Sequence, residues 1–79
     1  MLNLIKENFS IMIKYYKIGS IVEVIKISDD MIVDQPNIKL GLIGEVTDHF
    51  FFDDGVSYII QFDGFEGYLN DNEVEEIYG

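Results

Sequence analysis

Ten carboxylates without a cation among them dominate the second half of this 79-residue sequence. Glu45, Asp48, Asp53, Asp54, Asp63, Glu66, Asp71, Glu73, Glu75 and Glu76 all lie in residues 41–79, where there is neither Lys nor Arg. In residues 1–40 the five lysines, Lys6, Lys14, Lys17, Lys26 and Lys39, are balanced by Glu7, Glu23, Asp29, Asp30 and Asp34. The formal charge of −10 therefore belongs to one half of the chain. Carboxylates can pair for acid–base work, hold hard cations, or set up a negative field. Among fifteen acids, pairs arise by chance, and none is singled out by its spacing. The EF-hand pattern of alternating Asp or Asn before a Gly is missing, and His49 stands alone in a chain without Cys, so no metal and no cofactor is expected. Ser10, Ser20, Ser28 and Ser57 lack the strand–turn–helix setting of a nucleophile. A chain this short leaves little volume for a substrate pocket, so no enzymatic activity and no catalytic residue is expected.

What remains is the field itself. Solubility is served by a net charge of about 2 to 8 with the signs mixed, so ten unopposed acids imply a gain that offsets their self-repulsion. Such a surface turns away nucleic acid and anionic membranes and attracts a basic protein. The acids nonetheless alternate with Phe50, Tyr58, Ile60, Phe62, Leu69 and Val74, and the whole chain is 48% hydrophobic and 14% aromatic. That composition belongs to a folded body, not to a solvating acidic tail. Within Phe50-Phe51-Phe52, neighbours on a strand point to opposite faces, so at least one ring is expected to be exposed beside Asp53 and Asp54. Phe51 and Tyr68 are the expected aromatic contacts, and the ten acids the expected charged ones, of a partner-binding surface.

The elements that must position these residues are short. Leu2, Ile5, Phe9, Met12 and Ile13 recur at three- and four-residue spacing, which predicts a helix over about residues 2–13. Its apolar face is expected either to pack on the rest of the chain or to form a homodimer seam through Leu2, Ile5, Phe9 and Met12. Met12 is also a candidate start of the native protein. Residues 18–27 alternate as a strand, and 28–40 read as a long loop. Residues 42–52, 56–62, 65–69 and 74–78 read as four more strands, with turns at Asp53-Asp54-Gly55, Asp63-Gly64 and Asn70-Asp71-Asn72. Five short strands in so little chain predict a mainly β fold, a small five-stranded barrel at 18–79 preceded by an amphipathic segment at 1–17. No run of 18 apolar residues and no leader pattern is seen, and Cys is absent, so a reduced cytoplasmic location is expected.

The stretch Gly41-Leu42-Ile43-Gly44-Glu45-Val46, followed by Tyr58-Ile59-Ile60-Gln61-Phe62, Tyr68-Leu69 and Val74-Glu75-Glu76-Ile77, resembles SH3-like barrels of the KOW-like and translation-protein-like kind. The resemblance covers about residues 18–78 and implies an SH3-like barrel, with glycines admitting a sharp strand entry and a barrel corner. Members that bind nucleic acid do so with basic loops. The corresponding loops here hold Asp29, Asp30, Asp53, Asp54 and Asp63, which argues against carrying that role over. In size, acidity and richness in Ile, Asn, Tyr and Asp, the chain also resembles small phage-encoded proteins that imitate DNA. That likeness implies an inhibitor, acting in the cytoplasm of a host cell, that enters the basic DNA channel of a host DNA-processing protein. The replication sliding clamp comes first, then a nuclease or polymerase. The competing expectation is an SH3-like protein-interaction adaptor without DNA mimicry.

Overall fold

Apolar alternation builds the sheet, and the turns fall where a residue without a side chain, or with a short polar one, interrupts it. The structure is a computed structural model and describes residues 14–79. The expected helix at 2–13, and the seam of Leu2, Ile5, Phe9 and Met12, lie outside the described residues. Strand β1 (Ile21–Val24) buries Val22 and Val24. Helix α1 (Asp29–Asp34) follows, then β2 (Ile43–Phe52), β3 (Gly55–Phe62), β4 (Phe65–Asn70) and β5 (Val74–Tyr78). Among the described residues the fold is mainly β: five antiparallel strands in one sheet, ordered β4-β3-β2-β1-β5. The two outermost strands, β4 and β5, are consecutive in the chain and joined by the turn at residues 71–73.

The core is Val22, Val24, Val46, Val56, Tyr58, Ile60, Phe62, Leu69 and Val74 on the inner face of the sheet, closed by Met31 and Ile38 from the segment between β1 and β2. Residues 28–40 are thus not the plain loop expected. Asp29 and Asp30 in the first turn of α1 favour its positive N-terminal end, Met31 anchors it in the core, and Gln35 and Pro36 end it. A six-residue helix with one buried side chain leaves no periodic trace in a sequence. β1 is likewise shorter than residues 18–27. Gly19 has φ +96, a turn conformation, and the N–H groups of Ile25 and Lys26 both donate to the Glu73 carbonyl instead of extending the ladder.

Two glycines of the Gly41-x-x-Gly44 stretch serve different ends. Gly41 adopts φ +85, which residues with a Cβ rarely do. Gly44 lies beneath β3, where a Cβ would come within 2.8 Å of the Gln61 carbonyl oxygen. It is paired with Val22 at the centre of the sheet.

Candidate docking surface

Which carboxylates share a face follows from the register. Residues paired across neighbouring strands point to the same side of the sheet. Val46 pairs with Ile60 on the buried side, so Glu45, paired with Gln61, points outward, and Gln61 is paired in turn with Glu66. After Val46 the register shifts by one, because Thr47 is an extra residue in β2. Asp48 then pairs with Ile59, and Ile59 with Tyr68, all on the outer side. Phe50 pairs with Ser57, and Ser57 with Asn70, in the next outward row. Phe52 points the same way above Gly55.

The outer face of β2, β3 and β4 therefore carries Phe50, Phe52, Ile59 and Tyr68 in one patch. Phe50 and Tyr68 have ring centroids 6.3 Å apart, and Phe52 is 54% exposed. Asp48, Glu45 and Glu66 stand among and below them, and Asp53 and Asp54 form the hairpin tip beyond Phe52. Farther along the same outer face, Glu23 and Glu75 pair directly across β1 and β5.

The remaining expected site residues are elsewhere. Asp63 sits in the β3–β4 turn at the other end of β3 from Asp53 and Asp54, a strand length of roughly 25 Å away. Asp71 and Glu76 rim a groove of about 660 Å³ on the inner side of the sheet, together with Lys14, Lys17, Tyr16 and Tyr58. Glu73 corrects the expectation of a surface role. It is only 4% exposed, and its Oε1 accepts the Asn70 N–H at 2.8 Å while its own N–H donates to the Asn70 carbonyl. Asp71 is also partly engaged, with Oδ2 accepting the Val56 N–H at 3.4 Å. The carboxylates thus do not form a single coat: they divide between the outer face, two turns, the groove rim and the interior.

Phe51 is 54% exposed, as is Phe52, but stands apart from the outer patch. It pairs with Val56 and so points to the inner side, where its ring meets Tyr15 at 5.1 Å and His49 at 5.1 Å. Phe50 and Phe52 are the rings that alternation sends to the outer face. The Thr47 bulge sets this parity, and no residue type in the sequence announces it.

Tyr15 and Tyr16, before β1, pack on the inner side of the sheet. Tyr15 lies against His49, 5.3 Å between centroids, and Tyr16 stacks on Tyr58 at 5.4 Å. The Tyr16 N–H donates to the Tyr58 hydroxyl at 2.9 Å. Burial of Tyr58 pushes its phenol pKa up, because the ionised form would be cut off from water.

One further contact bears on the outer face. The Gln35 side chain bonds both backbone groups of Tyr68, its Nε2 donating to the carbonyl at 2.8 Å and its Oε1 accepting the N–H at 2.7 Å. It thus occupies the outer edge of β4 at Tyr68, which would otherwise be open to a further strand. Nothing in the sequence marked Gln35 for this.

Among the described residues, no group of three His, Asp or Glu side chains is placed to hold a metal ion, and no helix is long and apolar enough to cross a membrane. No family model, curated protein or solved structure matches this chain.

Proposed function

We propose that this chain is a non-enzymatic binding module that docks on a basic protein surface of the kind that receives nucleic acid. Its carboxylates stand in there for phosphates. The observation that supports this most is the outer face of β2–β4. There Asp48 stands beside, and Glu45 and Glu66 below, exposed aromatic side chains, in a half of the chain that holds neither Lys nor Arg. A surface of that kind attracts positive charge over a distance and gives its complex a strong dependence on salt. The resemblance to phage-encoded DNA imitators points to a DNA-processing protein as the partner, with the sliding clamp as the first candidate and a nuclease or polymerase after it.

A second reading is favoured by the division of the acids between separate parts of the molecule. An SH3-like adaptor would use the outer aromatic patch alone, with the acids at Asp63, Asp71 and Glu76 serving solubility. The two readings differ in what charge reversal does.

Affinity capture from a bacterial lysate, at low salt and at about 0.5 M salt, tests this when run beside the Asp48→Lys/Glu66→Lys variant. The expected result is a basic DNA-binding protein held at low salt, released at high salt and lost with the variant. Equal capture of the same proteins by both chains contradicts a charge-driven module and leaves the adaptor.

A further inference from the structure

Four apolar side chains, Phe50, Phe52, Ile59 and Tyr68, stand together on the outer face of a sheet whose core lies on the other side. Phe50 is 38% and Tyr68 45% exposed, although both are large rings on a continuous three-stranded surface. β2, β3 and β4 are neighbours in the ladder, so the rings of Phe50 and Tyr68 and the side chain of Ile59 span only about 10 Å across it. Contiguous exposed apolar surface rimmed by polar groups is the usual mark of an interaction site.

The charge around the patch narrows what can cover it. Asp48 shares a row with Ile59 and Tyr68, Glu45 and Glu66 occupy the row below, and Asp53 and Asp54 lie above Phe52. A second copy of this chain carries −10 of its own and would set carboxylates against carboxylates. Anionic lipid and nucleic acid are repelled for the same reason. A cation flanking an apolar group would meet both features at once. Arg or Lys would pair with Asp48 or Glu66 and lie over the exposed ring faces of Phe50 and Tyr68.

We infer that the outer face of β2–β4 binds a segment of a partner protein in which apolar side chains are flanked by Lys or Arg, with Phe50, Ile59 and Tyr68 as its anchor. This rests on the basic-partner reading above and adds an apolar requirement to it. Charge brings the partner in, and the aromatic patch holds it. Complexes of this form keep part of their affinity when salt screens the charges, because apolar burial is not screened.

The test uses two defined probes on the full chain: a peptide alternating Lys and Leu, and an oligolysine of equal charge. NMR titration is run with each at low and at about 0.5 M salt. The alternating peptide is expected to shift Phe50, Ile59 and Tyr68, and to keep binding at high salt where oligolysine is lost. Phe50→Ser/Tyr68→Ser is expected to weaken the alternating peptide about tenfold or more and to leave oligolysine unchanged. If that variant loses its fold, Phe52→Ser and the shift map of the native chain decide the matter. Equal binding of the two peptides, with shifts away from β2–β4, overturns the apolar anchor while the acidic reading stands. Failure of both peptides to bind the native chain overturns the basic-partner reading itself.

Discussion

Tyr58 and Glu73 show how differently two polar side chains can be used in a chain of this size. Tyr58 is fully buried, and its hydroxyl accepts a hydrogen bond from the Tyr16 N–H. Its phenol pKa is raised by burial, so the folded state holds the proton to higher pH than the unfolded chain does. Stability from this group is fully present below the unfolded value of about 10 and falls as pH rises above it. Denaturant titrations at neutral and strongly alkaline pH check this: the native chain should lose stability above about pH 10, and Tyr58→Phe should lose less. At neutral pH the same variant should cost about 0.5–1.5 kcal/mol for the lost bond. In the sequence Glu73 reads as one more surface acid, standing among Asp71, Glu75 and Glu76. Its carboxylate instead closes the turn from β4 to β5 on the Asn70 N–H. Glu73→Ala should destabilise the fold by about 1–3 kcal/mol, whereas Glu75→Ala, on an exposed position, should be neutral or mildly stabilising in the same thermal or chemical melt.

The strands from β2 to β5 fall within a residue of where alternation and turn residues place them, because a sheet buried on one side imposes a period of two on the sequence. What the pattern does not carry is the single extra residue Thr47. Before it, even positions such as Val46 point inward; after it, odd positions such as His49 and Phe51 do. The three consecutive phenylalanines satisfy either parity and all three are exposed, so the sequence does not tell that Phe50 and Phe52 share the outer face while Phe51 stands on the inner side. The bulge hydrogen bond from the Thr47 hydroxyl to the Ile59 carbonyl, 3.2 Å long, joins residues that no local motif connects. α1 leaves no periodic signal, because tertiary contact, through Met31, holds it where six residues alone would not form a helix. The Gly41-x-x-Gly44 spacing implies a sharp strand entry and a barrel corner, not the close approach that Gly44 makes. A Cβ there would meet the Gln61 carbonyl and the Ile60 side chain in the middle of the sheet. Gly44→Ala should therefore lower stability by about 1–3 kcal/mol through overpacking, measurable as a shift in denaturant midpoint without a change in slope.

At the scale of the molecule, the sequence established the charge and its confinement to residues 41–79, but not its placement in space. Strand register sends Glu23, Glu45, Asp48, Glu66 and Glu75 to the outer face, and Glu76 to the inner rim. With a net charge of −10 and Glu23 directly opposite Glu75, the folded chain repels itself. Melts at rising sodium chloride should show increasing stability, and Glu75→Lys should reduce that increase by converting a like-charge pair into an ion pair worth about 0.2–1 kcal/mol. The acids and exposed aromatics would then lower stability in the free chain and be offset in the complex. The most direct check is competition on the recovered complex, with duplex DNA added at constant ionic strength. Displacement of the chain by DNA, at concentrations where DNA binds the partner alone, is the result expected of a surface standing in for phosphates. A ternary assembly in which chain and DNA bind the partner together would contradict it.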